Sequence, residues 1–356
     1  MRILITGGCG FVGSSLAKLW KQTHPSHQIV AFDNLKRRGS ELNLSQFKKL
    51  GIEFVHGDIR SASDFSDLQG SFDLLLEASA EPSVHAGIQG SADYLFDTNL
   101  GGTIKCLEYA RKNCGGVVFL STSRVYPINP LRELLLVENE SRFVLNTKEI
   151  RTGLSSKGIS EDFPMLGRGF RSLYGTTKLA SELICEEYVA NFNLPIVINR
   201  CGVIAGRGQF GKTDQGVFTL WVARHFFGGS LSYTGFGGQG KQVRDLLHPS
   251  DLFSLIQLQI QSLKAIQGEV FVAGGGEQGS TSLLEYTRIC ENVTGKKISI
   301  SSNPNTAAVD LPWIIMDTSK AQEKLGWAPK MNSAAIAGDI GSWLAQYESE
   351  LKPLFA

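Results

Sequence analysis

Tyr174 and Lys178, in the stretch YGTTK, stand four residues apart. On a helix that spacing puts both side chains on one face. An ammonium beside a phenol favours the phenolate, so such a tyrosine can take a proton from an alcohol near neutral pH. Thr122 closes the apolar run VVFLST (117–122) and offers a hydroxyl to hold the same substrate oxygen. The YxxxK pattern alone is common as a helix-surface pair, so its weight here depends on what accompanies it.

What accompanies it is a glycine-rich loop. The opening ILITGGCGFVG spaces Gly7, Gly10 and Gly13 as GxxGxxG, with Phe11 and Val12 between the last two. It lies between an apolar strand and a helix. Glycines in that setting allow a tight turn and let backbone approach a pyrophosphate resting on the helix N-terminus. Asp33 follows Gly13 by 20 residues, at the end of the next strand, IVAFD. There it is placed to accept hydrogen bonds from an adenosine ribose and to repel a 2′-phosphate, which favours NAD over NADP. The basic pair Arg37-Arg38 nearby is compatible either with a phosphate or with a solvated helix start. Asn34 beside Asp33, and Asp58 with Ile59 in HGDIR, extend the candidate adenine side.

The elements that must position these residues follow from apolar patterning. Strands are expected at 2–6, 28–32, 52–56, 73–77, 116–121 and 196–199. Helices are expected after Phe11 and in 41–50, 91–113 and 174–193. Strands alternating with helices imply βαβ units, a parallel sheet and an α/β fold. Between Tyr126 and Tyr174, 47 residues carry little sustained period, as in a long functional or irregular loop. Beyond about Gly202 the chain is richer in glycine and aromatics, which suggests a second, smaller domain interleaved with the first. Val243–Leu247 reads as a strand returning to the first domain. The expected division is 1–201 with 242–265 for the dinucleotide-binding domain, and 202–241 with 266–356 for the other.

Composition narrows the class. The chain has 356 residues, 42% hydrophobic and 19% charged, and a formal net charge of +1 from 35 basic and 34 acidic residues. Such a balance gives no global pull toward nucleic acid or an anionic membrane. Six scattered cysteines form neither a metal pattern nor a disulfide framework. No apolar run approaches the roughly 18 residues of a membrane span. The first strand begins at Arg2, so no signal peptide is expected and the reading is cytoplasmic.

These motifs resemble the extended short-chain dehydrogenase/reductase family that acts on nucleotide sugars. The resemblance rests on TGGCGFVG, STS, VY and YGTTK. It continues through DTNLGGT (97–103), GQGKQVRDLLHPSDL (238–252) and DTSKAQEKLGWAP (317–329). It implies a Rossmann-type doubly wound sheet, bound NAD, and catalytic roles for Thr122, Tyr174 and Lys178. By the same likeness Ala78, Ser79, Ala80 and Asn99 line the nicotinamide half of the cofactor pocket. Arg244 matches a diphosphate-binding arginine, with Gln209 and Gln242 as helpers and Arg207 as a weaker candidate.

Three segments look most like CDP-paratose (CDP-tyvelose) 2-epimerases: LKRRGSELNL (35–44), the long insertion ending in GISEDFP (158–164), and GRGQFGKTDQG (206–216). One departure concerns the segment before DTSKA. There Leu311, Pro312 and Trp313 follow Asp310 where an arginine is usual. Trp313 then either stacks on a base or packs in the core.

The 4,6-dehydratases of this family place Asp and Glu directly after the strand-end threonine. Here those positions are Ser123 and Arg124, and arginine stays protonated. Water loss lacks its acid, which leaves oxidation and re-reduction of a sugar with inversion. Arg124 itself has two readings: contact with substrate or pairing with Glu161 or Asp162, or a structural side chain pointing away. Apolar positions on more than one face of 91–113 and 174–193 imply a homodimer, as in relatives that pair these helices. The competing readings are a net nucleotide-sugar oxidoreductase, a 4-epimerase, and an idle NAD-binding sensor or scaffold.

Overall fold

The computed structural model describes residues 1–88, 90–165, 169–211 and 215–355. It divides into two compact units. One holds Met1–Val125, Ser172–Arg200 and Leu252–Phe271, and the other Tyr126–Arg171, Cys201–Asp251 and Val272–Ala356.

The first unit is built on five short apolar strands: β1 (Arg2–Thr6), β2 (Gln28–Asp33), β3 (Glu53–His56), β4 (Leu74–Glu77) and β5 (Val117–Thr122). Ile196–Cys201 and Val270–Ala273 complete a seven-stranded parallel sheet. From one edge the order is Val270–Ala273, Ile196–Cys201, β5, β4, β1, β2, β3. The chain reverses direction across the sheet between β1 and β4. In doubly wound sheets such a switch point opens a crevice at the carboxyl ends of the strands. Central strands covered on both faces read as continuous apolar runs; Ile3, Leu4, Ile5, Leu74, Leu75 and Leu76 are all 0% exposed. The strand ends carry the polar exceptions, Thr6, Glu77 and Thr122, and all three are buried.

Helix α1 (Phe11–Thr23) follows β1 directly and packs inward on Leu16, Ala17 and Trp20. The helix expected within 91–113 runs without interruption from Asp93 to Asn113 and contains a π turn. Asp93–Phe96 forms one turn, Asp97–Gly101 widens into a π turn, and Gly102–Asn113 continues as α-helix. The helix Leu173–Phe192 is long and weakly amphipathic, with buried polar residues along its inner face.

The second unit holds a sheet of Val203–Ile204, Val243–Leu247, Ser280–Ser282 and Trp313–Ile314. Its core gathers Phe218, Trp221, Tyr286, Ile336 and Trp343. Val243–Leu247 therefore does not return to the first sheet. It pairs antiparallel with Ser280–Ser282 and parallel with Trp313–Ile314. The strand that does return to the first sheet is Val270–Ala273. Trp313 is buried at 3% exposure, so it packs in the core of this unit.

The long connection before Tyr174 is more ordered than its sequence suggests. Leu136–Glu138 pairs with Phe143–Leu145, and Leu154–Ser155 with Gly158–Ile159. The connection belongs to the second unit, which is as long as the first rather than smaller.

Candidate active site

The loop after β1 is cramped. Gly7 has φ +63°, a conformation that glycine adopts without a Cβ penalty, and a Cβ there would lie 2.9 Å from the Ala78 carbonyl oxygen. A Cβ on Gly13 would meet the Gly7 carbonyl at 2.2 Å. Gly10 caps α1 with extended backbone and no side-chain cap, and no acidic residue sits in the first turn. The helix start therefore keeps its positive end for an anion. This turn fits a pyrophosphate. Phe11 and Val12 open the same helix.

Asp33 is part-buried at the end of β2. The Cys9 N–H donates to its Oδ2 (3.0 Å) and the Leu35 N–H to its Oδ1 (2.7 Å). Burial pushes its carboxyl up, against the backbone donors that pull it down. The Cys9 donor ties the acid to the glycine loop, where a ribose would meet it. Asn34 donates from Nδ2 to Asp58 Oδ2 (2.9 Å), and Arg60 pairs with the same carboxylate (2.7 Å). Arg60 holds the Asp58 carboxyl far below the usual carboxylate range. Lys36 and Arg60 both lie over the Tyr94 ring, at 3.2 and 4.8 Å. Ile59 is buried beneath Gly102.

Ala78, Ser79 and Ala80 continue from β4. The Ala78 N–H bonds the Thr6 carbonyl (3.2 Å), and the Ser79 N–H bonds Glu77 Oε1 (3.2 Å). Asn99 sits in the π turn, fully buried. It accepts from the Glu81 N–H (2.8 Å) and donates to the Glu81 carbonyl (3.0 Å) and to Thr177 Oγ1 (3.3 Å). Ser181 Oγ in turn bonds the Asn99 carbonyl (3.0 Å). The π turn thus clamps the loop after β4 to the very helix that carries Tyr174 and Lys178. Such turns often mark functional sites.

That helix starts under strain. Ser172, its N-cap, has φ +80°, sparsely populated for a residue with a side chain, and its Oγ accepts from the Gly175 N–H (3.1 Å). Tyr174 follows, 9% exposed. Lys178 is 2% exposed, with Nζ 3.9 Å from the centre of the Phe119 ring and 3.8 Å from Glu77 Oε2. Thr122, 8% exposed at the end of β5, accepts from the Arg124 N–H (3.2 Å). Ser123 and Arg124 begin the short turn that follows. Cofactor-side and catalytic candidates of the first unit thus share its strand ends and one clamped helix.

The remaining candidates lie in the second unit. Arg244 is buried and pairs with Asp310 (2.7 Å), not with Asp245 or Asp251. Gln209 donates to the Ile204 carbonyl (3.1 Å) and accepts from Thr219 (2.7 Å). Gln242 donates to the Thr234 carbonyl (3.0 Å). Arg207 pairs with Asp339, which His248 also contacts. Glu161 accepts from the Val272 N–H (2.6 Å).

Sequence reasoning missed two buried acids in the first unit. Glu182 takes Arg200 (2.8 Å) and a hydrogen bond from Ser121. Glu77 ends a run of three leucines. The signal available was a lone acid closing a strand otherwise apolar enough to be central.

A Rossmann-type sheet, a glycine turn before α1, an acid closing β2 and a Tyr–Lys helix define an NAD-dependent enzyme of the short-chain dehydrogenase/reductase class. The chain belongs to the NAD dependent epimerase/dehydratase family, which matches residues 3–274. It is 31% identical to the CDP-paratose 2-epimerase of Salmonella typhi, over 96% of this chain and 99% of that protein. It is 27% identical to the dTDP-glucose 4,6-dehydratase of Streptomyces niveus, over 99% and 96% of the two chains. Among solved structures it is similar to DesIV, a dTDP-glucose 4,6-dehydratase from Streptomyces venezuelae solved with NAD bound. That likeness has a TM-score of 0.77 and 25% identity, over 99% of this chain and 100% of that one.

Proposed function

We propose that this enzyme is a nucleotide-sugar epimerase acting like a CDP-paratose 2-epimerase. The observation that carries the choice against dehydration is the turn after Thr122. Its next residues are Ser123 and Arg124, and neither is a carboxylic acid able to protonate a leaving hydroxyl. Gly7, Gly10, Phe11, Val12, Gly13, Asp33, Asn34, Asp58, Ile59, Ala78, Ser79, Ala80 and Asn99 hold NAD in this reading. When bound, NAD supplies the two-electron oxidation of a sugar carbon and its reversal.

The protein's own part is proton and position. Thr122 holds the sugar oxygen. Tyr174, as phenolate beside Lys178, takes the hydroxyl proton as the carbon is oxidised to a ketone and gives it back on reduction. Presenting the other face of the ketone in between inverts the centre. Arg244 and Gln209 belong to the nucleotide end, with Arg244 exchanging Asp310 for the diphosphate. Arg124 contacts the substrate. The likeness to a CDP-paratose 2-epimerase supports C2 as the oxidised carbon and cytosine as the base.

The enzyme works as a homodimer in this reading. Ile104 and Leu183 stay 37% and 54% exposed on the two helices in question, whereas Leu95 and Leu107 turn to the core. Light scattering at micromolar concentration is expected to give the dimer mass.

The test is incubation with a panel of nucleotide sugars in ordinary and deuterated water, followed by NMR. Inversion without solvent deuterium at carbon is expected with a CDP-sugar, with no NAD added. Tyr174→Phe should abolish it while leaving the fold and bound NAD intact. Solvent deuterium at the inverted carbon, or net ketone release, would sink the mechanism.

A further inference from the structure

We infer that Glu77 is a positioning residue for proton transfer: its carboxylate tempers the charge that Lys178 presents to Tyr174. The inference deepens the proposed function and rests on it, since it concerns the same tyrosine and lysine.

Three observations carry it. First, Glu77 and Lys178 are 1% and 2% exposed, so water does little to screen the 3.8 Å between them. Second, the carboxylate is not consumed by hydrogen bonding. Its Oε1 takes the Ser79 N–H, while Oε2, the oxygen nearer the ammonium, has no hydrogen-bond donor among the described residues. Third, the pleat fixes the geometry. Glu77 stands opposite Phe119 in the β4–β5 register, and the Phe119 ring lies beneath the Lys178 ammonium. The cation is held between a ring face and an anion, both set by neighbouring strands of the sheet.

A buried acid with no such task is costly and is usually hydrogen-bonded to its cation. Burial pushes the Glu77 carboxyl up, and Lys178 opposes that rise. Among the described residues, the other titratable groups around the pair are compensated or neutral. Glu182 on the same helix is neutralised by Arg200 from the next strand. The thiols of Cys106 and Cys185, from the two helices packed there, are pushed up by burial. Glu77 is therefore the charge that sets how strongly Lys178 acts on the phenol. Ser79 links the same carboxylate to the loop proposed to line the cofactor.

The experiment reads the phenol directly in the chain without substrate. The ultraviolet titration of Tyr174 is taken as the difference between each protein and its Tyr174→Phe counterpart. Glu77→Gln is isosteric and uncharged, and it should lower the Tyr174 midpoint by about one pH unit. The acid limb of the turnover profile should follow. Glu77→Asp keeps the charge and should hold the midpoint near that of the parent. An unmoved midpoint in Glu77→Gln would reduce Glu77 to a structural role, and an upward move would reverse the inference. If Glu77→Gln does not fold, a Glu77→Asp midpoint displaced as far as a charge loss would predict overturns it equally. Failure of the proposed function would show separately, as turnover surviving in Tyr174→Phe.

Discussion

Two buried ion pairs lie one turn apart on the Leu173–Phe192 helix, and they are built differently. Glu182 and Arg200 meet at 2.8 Å, Arg200 reaches the carboxylate through both Nε and Nη2, and Ser121 adds a further donor. Glu77 and Lys178 face each other at 3.8 Å, beyond hydrogen-bond reach. In the first pair both carboxylate oxygens are engaged, so it ties the helix to β5 and to the strand Ile196–Cys201. In the second, charge is held at a distance and stays available to a neighbour. Asp245, in the other unit, is a third solution. This acid is 1% exposed and is held by the Gly276 and Met316 N–H groups (3.3 and 3.2 Å), with no ion pair to a cation among the described residues. The lesson is that a saturated pair is architecture and an unsaturated one is where function can be tuned.

The largest effect is expected at the saturated pair. Arg200→Met leaves Glu182 buried without its cation, and a loss of about 3–5 kcal/mol in urea unfolding is expected. A loss below about 1 kcal/mol would mean that Glu182 is readily re-solvated, and the distinction drawn here would fail.

Asp245 differs from both pairs in its response to pH. Burial raises its carboxyl from the ordinary 3.8 to about 6. The folded chain holds that proton longer than the unfolded one. Its share of stability is therefore whole below the unfolded value and lost as pH rises through about 6. Asp245→Asn should flatten a decline of roughly 2–3 kcal/mol between about pH 4 and pH 7, read from urea unfolding at each pH. An unchanged slope would show that the backbone donors already cancel the burial.

The smallest effect belongs at the surface. Lys241 and Glu138 pair at 2.8 Å with the glutamate 54% exposed. Glu138→Gln should change thermal stability by less than about 0.5 kcal/mol, and added salt should erase even that.

How much of this was legible in the sequence follows the same physics. β1 to β5 and α1 were readable because period and punctuation agree there, and the glycine loop, Asp33 and Thr122 fall on their ends, while the i, i+4 spacing of Tyr174 and Lys178 marked the first turns of the Leu173–Phe192 helix. Membership of Val243–Leu247 in a sheet was not readable, because an apolar run of five residues says strand and nothing about which sheet. The hairpins inside 127–173 have strands of two or three residues, too short to show alternation. Glu77 escaped because its role depends on a partner about a hundred positions away. Asn99 was placed by resemblance, but the π turn that turns it toward Glu81 and Thr177 has no sequence signature of its own.

The strand Val270–Ala273 has a consequence for how the chain comes into being. It completes the first sheet only after the segment Cys201–Asp251 has been spent on the other unit. On a ribosome, the strand Ile196–Cys201 must therefore wait with a bare hydrogen-bonding edge while the intervening segment emerges. Long-range closure of this kind is slow and leaves the nascent chain open to wrong pairing. A fold interleaved to such an extent cannot be assembled half by half. Its dependence on assisted folding should rise with any change that delays the return of that last strand.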